Sequence, residues 1–121
     1  MEKIDAIASL AALAQDTRLD IFRLLVQAGS EGRAVGHIGE TLGLPSATLS
    51  FHLGQLKHAG LVTFRREGRS LIYAANFAAM DGLIAYLTEN CCGSEASDCG
   101  VGISVACASA KRPRSKEAAG A

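Results

Sequence analysis

The fold is decided by one stretch of the sequence, Leu42-Gly43-Leu44-Pro45-Ser46-Ala47-Thr48-Leu49-Ser50-Phe51-His52-Leu53. Proline suits the start of a helix, because its fixed φ matches the first turn and its missing N–H leaves no donor unsatisfied there. Pro45 therefore predicts a tight turn, followed by a helix that begins at Ser46 and ends before Gly60. The buried side of this helix is predicted by three leucines at helical spacing, Leu49, Leu53 and Leu56.

Three helices are predicted before this turn, because apolar residues recur at spacings of three and four. The first ends near Gln15, and the second has Asp16 or Thr17 as its predicted cap and Gly29 as its end. The third is short and leads into the turn, which makes a helix-turn-helix with the helix from Ser46. The apolar positions of the three helices are Ile4, Ile7, Leu10, Ala11 and Ala14; Leu19, Phe22, Leu25 and Val26; and Val35, Ile38 and Leu42.

The period changes from helical to alternating after Leu61. Residues 62–65 and 70–75 predict two strands, with a hairpin turn at Glu67-Gly68. A fifth helix is predicted over residues 77–89, with an apolar face made of Phe77, Met80, Leu83, Ile84 and Leu87. The hairpin and this helix complete the order of elements.

This order predicts a winged helix-turn-helix, a mainly α fold with one β-hairpin (α+β). Residues 1–90 form the predicted DNA-binding and dimerisation domain. Residues 91–121 are rich in Ala, Gly, Ser and Cys, and predict a flexible C-terminal tail. In such a fold the helix over residues 46–59 enters the major groove of DNA.

The predicted base-reading residues lie on the side of this helix opposite its leucines. Phe51 is the informative one, because a large aromatic in solvent is costly unless it contacts a thymine methyl or a sugar. The alternative is that Phe51 packs under a loop. The full set of candidates on this helix is Ser46, Ala47, Thr48, Ser50, Phe51 and Gln55.

The hairpin tip carries the predicted phosphate contacts, Arg65, Arg66 and Arg69. The chain has no net charge, with 12 basic and 12 acidic residues, but residues 46–75 hold four basic residues against one acidic. The positive field is therefore concentrated where DNA would bind. The alternative is that the arginines only prevent strands of different molecules from pairing.

Size and hydropathy narrow the function further. At 121 residues the chain is too short for an enzyme with separate substrate and cofactor domains. Its apolar runs are too short to cross a membrane, and the N-terminus lacks the pattern of a secretory signal. We therefore expect a cytoplasmic protein without a membrane partner.

Three segments resemble the ArsR/SmtB family of metal- and metalloid-responsive repressors, and the hairpin with Tyr73 resembles that family's wing. The segments are residues 14–21, AQDTRLDI; residues 42–53, LGLPSATLSFHL; and residues 56–62, LKHAGLV. The resemblance covers about residues 4–90. It implies a homodimer joined by the first and last helices, which binds inverted-repeat operator DNA until an inducer binds.

The inducer site differs among members of this family. Many arsenic sensors carry a Cys-x-Cys pair in the third helix, and residues 33–42 contain no cysteine. Zinc and cobalt sensors use Asp and His on the last helix, and residues 77–90 contain no histidine. Cys91, Cys92 and Cys99 instead resemble the arsenite site of members with C-terminal cysteines. Since soft trivalent metalloids prefer thiolates, As(III) is the expected inducer, with Sb(III) as a second candidate. No cofactor is expected for folding.

Other uses of these cysteines stay open. They could bind another soft metal such as zinc, although adjacent cysteines chelate one ion awkwardly. They could form a redox sensor, in which a neighbouring thiol resolves an oxidised Cys92, or they could be incidental. A thiol-dependent arsenate reductase is the nearest enzymatic alternative. The chain has no Gly-rich phosphate loop, Cys-x-x-Cys or Gly-x-Ser-x-Gly motif, so we expect no enzyme.

Overall fold

The computed structural model describes residues 1–91. One compact unit spans Met1–Tyr86, and the described residues Leu87–Cys91 lie outside it. The elements, in chain order, are α1 (Lys3–Leu13), α2 (Asp16–Ala28), a 3-10 turn (Gly29–Glu31), β1 (Arg33–Ala34), α3 (Val35–Leu42), α4 (Ser46–His58), β2 (Val62–Glu67), β3 (Ser70–Ala75) and α5 (Phe77–Leu87). This is the winged helix-turn-helix that the sequence predicts.

The core lies where α2, α3 and α4 meet the start of the hairpin. The three leucines of α4 are fully buried, as their spacing predicts. Removing such a side chain from water contributes roughly 1.5–3 kcal/mol. The largest fully buried side chains are Ile21, Leu25, Ile38, Leu49, Leu53, Leu56 and Leu61.

The sheet has three antiparallel strands in the order β1-β3-β2. The sequence did not predict β1, which is only two residues long and pairs Arg33 with Tyr73. Gly32 makes this pairing possible. It has a φ of 72°, and a Cβ atom at this position would collide with the carbonyl oxygen of Tyr73.

Four predicted boundaries are corrected by the structure. Gln15, rather than Asp16 or Thr17, caps α2, because its longer side chain reaches the backbone N–H of Arg18 at 2.9 Å. The hairpin loop is Gly68-Arg69, since Glu67 still pairs with Ser70. Helix α1 ends at Leu13 and α5 at Leu87, each two residues short of the predicted end.

Helix α1 buries three small residues and exposes three large apolar ones. Ala6, Ser9 and Ala12 face the protein. The opposite side exposes Ile4 by 75%, Ile7 by 58% and Leu10 by 44%. We call these three residues the α1 stripe.

Helix α5 lies beside the N-terminal residue that precedes α1. A Cβ atom added at Gly82 would be 3.7 Å from the side chain of Met1. Helix α5 divides its apolar residues differently. Leu83 is buried and Phe77 and Met80 pack on the core, whereas Ile84 is exposed. No helix among the described residues has the length and apolar character needed to span a bilayer.

Candidate nucleic-acid interface

Helix α4 is held rigidly with one side toward the core and the other toward solvent. Gly43 takes a left-handed conformation that ends α3, and the N–H of Leu44 donates to the Gly39 carbonyl at 3.0 Å. Pro45 then starts α4 in the extended conformation usual for a helix N-cap. The short turn therefore sets the angle at which α4 leaves the core.

All six residues predicted to face DNA on α4 are exposed. They are Ser46, Ala47, Thr48, Ser50, Phe51 and Gln55. Phe51 is 58% exposed, so the alternative in which it packs under a loop is wrong. Its ring contacts the ring of His52 edge-on, with centroids 5.3 Å apart. This contact orients the aromatic side chain on a surface otherwise made of small or polar side chains.

His52 is held from behind by Arg18 of α2. The Nη1 atom of Arg18 lies 3.3 Å from Nδ1 of His52, and its Nε atom donates to the carbonyl of Ala12 at 2.6 Å. His52 is therefore a partly buried, hydrogen-bonded residue beside the core. Nothing in the local pattern identified Arg18 as its partner.

The predicted wing is the tip of the hairpin made by β2 and β3. Arg66 and Arg69 are exposed there. Arg65 is also exposed, but its guanidinium bonds the Glu67 carboxylate at 2.7 Å and the Glu31 carbonyl at 2.8 Å. An exposed ion pair contributes little stability. The bond to Glu31 does more, because it attaches the wing to the 3-10 turn.

Two residues that sequence reasoning missed connect α4 to the wing. The Nζ atom of Lys57, on α4, lies 4.5 Å from the ring centroid of Phe64 on β2. Phe64 stands opposite Tyr73 in the sheet, with ring centroids 5.7 Å apart. The exposed Phe64 ring thus contacts both Lys57 of α4 and Tyr73 of β3. Alternation alone would have marked it only as one strand residue among several.

The predicted thiol site is only partly within the described residues. Cys91 follows α5, is partly buried, and donates its backbone N–H to the Thr88 carbonyl at 2.9 Å. Cys92 and Cys99 lie outside the described residues. Within residues 1–91, no three His, Cys, Asp or Glu side chains are grouped to hold a metal ion.

Comparison with known proteins gives the same fold and a family. A family described as "Helix-turn-helix domain" matches residues 13–64. The structure of HlyU from Vibrio cholerae, a transcriptional activator, superposes with a TM-score of 0.58 at 33% identity, covering 72% of this chain and 97% of HlyU.

Two further relatives are informative. Mb0332 from Mycobacterium bovis is described as a homodimeric winged helix-turn-helix DNA-binding domain and a possible ArsR-family regulator. It is 32% identical with a TM-score of 0.56, over 71% of this chain and 80% of that one. A Halobacterium salinarum protein named "Putative arsenical resistance operon repressor ArsR" is 37% identical over an alignment of 79 positions that covers 57% of this chain and 60% of that protein. With its exposed α4 face, its wing and these relatives, the chain belongs to the ArsR-like family of winged helix-turn-helix transcriptional regulators.

Proposed function

We propose that the chain is a dimeric repressor that holds an inverted-repeat operator through α4 and the wing, and releases it when As(III) or Sb(III) binds Cys91, Cys92 and Cys99. The observation that carries the DNA-binding half is the outer side of α4. There an exposed aromatic, Phe51, stands among small or polar residues on a helix whose opposite side is fully buried. A surface of this kind reads base edges and thymine methyl groups in the major groove.

The α1 stripe supports the dimer. Three large apolar side chains on one side of one helix form a surface that a monomer gains nothing by exposing. Mb0332, which shares this fold, is a homodimer. An isologous dimer presents two copies of α4 to successive turns of DNA, which explains why the operator should be an inverted repeat.

Thiolate chemistry supports the inducer. As(III) and Sb(III) are soft and prefer sulfur ligands to oxygen or imidazole. Cys91 and Cys92 are adjacent, three residues separate them from the end of α5, and Cys99 supplies a third sulfur after a short spacer. The similarity to the halobacterial ArsR is consistent with this class of inducer.

Induction needs only a modest difference in affinity. An inducer that binds the DNA-incompetent state better than the DNA-bound state shifts the population toward release. Coupling energies of about 1–3 kcal/mol are typical of such pairs of sites. Because linkage is reciprocal, operator DNA should weaken the binding of arsenite by the same factor.

A release titration tests the proposal. The reduced protein first selects a duplex from a random-sequence pool, and the complex is then titrated with arsenite, antimonite, zinc, cadmium and peroxide in parallel. Serine at each of Cys91, Cys92 and Cys99 should leave DNA binding intact and abolish the arsenite response. The chain has a fourth cysteine, Cys107, outside the proposed site. Cys107→Ser is therefore the matched control and should respond like the wild type.

The outcomes separate the alternatives. Arsenite-driven release that survives in the triple serine variant of Cys91, Cys92 and Cys99 would eliminate the proposed thiol site. Release by peroxide alone would favour the redox sensor. Turnover of arsenate with a thiol donor would favour the reductase instead of a regulator.

A further inference from the structure

Three helices meet at the side chain of Arg18. Its Nε atom donates to the carbonyl of Ala12 at 2.6 Å. Ala12 lies in the last turn of α1, where carbonyl groups receive no hydrogen bond from within the helix and need another donor. A cation is favoured at this end of a helix for the same reason. Arg18 therefore completes the C-terminal end of α1.

The same guanidinium reaches α4. Its Nη1 atom lies 3.3 Å from Nδ1 of His52. A guanidinium can only donate, so Nδ1 must accept and the ring proton must reside on Nε2. The His52 ring in turn stands edge-on to Phe51. One side chain of α2 thus connects the end of α1 to the aromatic residue on the DNA-facing side of α4.

We propose that Arg18 is a positioning residue for DNA recognition, which couples the placement of α1 to the orientation of His52 and Phe51 on α4. This inference rests on the proposed function, in which the α1 stripe forms the dimer and α4 reads the operator. Arginine suits the role because its planar fork holds two acceptors in fixed directions, whereas lysine presents a single point of charge. A displacement of the end of α1 moves the guanidinium, and with it the ring that supports Phe51.

Four variants of the full chain test the coupling. Arg18→Met keeps much of the side-chain volume and removes both bonds. His52→Leu removes the acceptor, whereas His52→Asn keeps an acceptor near the position of Nδ1. Arg23→Met is the matched control, because Arg23 is an exposed arginine on the same helix.

The first measurement is affinity for the duplex that the wild type selects from a random pool, compared with affinity for an unrelated duplex. Arg18→Met and His52→Leu should each weaken binding of the selected duplex by about tenfold, and the double variant should lose no more than either one. Binding of the unrelated duplex and sedimentation should stay near wild type, and Tm should fall by no more than the few degrees expected for one lost hydrogen bond. His52→Asn and Arg23→Met should bind like the wild type.

Two results would overturn the coupling. One is wild-type affinity in Arg18→Met, and the other is losses that simply add in the double variant, since additive losses mean independent roles. A parallel fall in Tm and in binding of both duplexes would also overturn it, because it would reduce Arg18 to a residue that only supports the fold.

A second measurement needs no DNA and separates this inference from the proposed function. The ring nitrogens of His52, observed by NMR, should report a proton held on Nε2 in the wild type and a mixture of tautomers in Arg18→Met. The substitution Ile7→Asp in the α1 stripe should shift the backbone amide signals of α4 when it is introduced into the wild-type chain. The same substitution introduced into the Arg18→Met chain should not shift them. If the wild type selects no duplex, the proposed function fails, and these spectra alone decide the coupling.

Discussion

Phe51 and Leu53 lie two residues apart on α4, but one faces solvent and the other faces the core. Leu53 is 1% exposed and belongs to the core, whereas Phe51 is mostly exposed. A residue that serves the fold should change stability when it is truncated. A residue kept for DNA should change affinity and leave stability unchanged.

We therefore predict that Phe51→Ala weakens binding of the selected duplex by roughly 1–3 kcal/mol, as expected for loss of a direct base contact. Its Tm should equal that of the wild type within error. Leu53→Ala is the contrasting variant and should lower the free energy of unfolding by roughly 2–5 kcal/mol, because it leaves a cavity in the core. Titration with DNA and denaturant unfolding measure the two effects. A Phe51→Ala protein that is destabilised but binds normally would contradict this assignment.

At the scale of elements, the wing depends on contacts far apart in the sequence. Gly32 lets the chain pass against Tyr73 so that β1 can pair with β3, and Arg65 fastens β2 to the carbonyl of Glu31. Both contacts attach the hairpin to the segment between α2 and α3. The hairpin is therefore attached to the rest of the protein near its base, whereas Arg66 and Arg69 at its tip are exposed.

Two glycine substitutions should separate these positions. Gly32→Ala meets both a positive φ and a collision with the Tyr73 carbonyl, so it should lower the free energy of unfolding by about 3 kcal/mol or more. Gly68→Ala meets a φ of 62° but open space, and should cost about 1 kcal/mol. Denaturant unfolding compares them, and equal losses would show that the approach to Tyr73 is unimportant.

The wing arginines should also differ from one another, because only Arg65 is bonded to the Glu31 carbonyl. Arg66→Ala and Arg69→Ala should each reduce the dependence of binding on salt by about 0.9 in the log–log slope, the value for one lost phosphate contact. Arg65→Ala should do this and also loosen the attachment of the wing, so its loss of affinity should be the largest of the three. Binding titrations over a range of salt concentrations measure the slopes. Unchanged slopes in all three variants would mean that the wing does not touch DNA.

The elements were predictable because their signals are local. The leucine spacing of α4, Pro45 before it and the alternation after Leu61 each lie within a few residues. The contacts that complete the site are not local: Arg18 meets His52, and Arg65 meets Glu31, each across 34 positions of sequence. The sequence shows the charge of both arginines, but only the fold shows which acceptors lie within their reach.

At the scale of the whole molecule, the α1 stripe is an exposed apolar surface that the fold of one chain does not explain. Its three side chains point away from the core although the same helix had smaller residues to expose. This arrangement is expected where a second copy covers the large residues. We infer that the position of α1 in one chain is tied to that of α1 in the other.

Ile7→Asp should therefore produce a folded monomer, because a carboxylate in the centre of an apolar interface carries a large desolvation cost. Binding of the selected duplex should fall by at least about a hundredfold, since one copy of α4 alone reads only one half-site. Leu19→Asp is the matched control, because Leu19 is a similarly exposed leucine on α2. Sedimentation and DNA titration measure both. A dimeric Ile7→Asp protein would exclude the α1 stripe from the interface.

The exposed isoleucines of α1 also bear on how sharply a gene under this protein responds to the amount of the protein. If two chains must meet before either can hold DNA, then at low abundance doubling the number of chains raises the number of competent pairs about fourfold, by mass action. Occupancy of the operator then rises with the square of expression. Small changes in synthesis or degradation would be amplified at the promoter before any inducer is present.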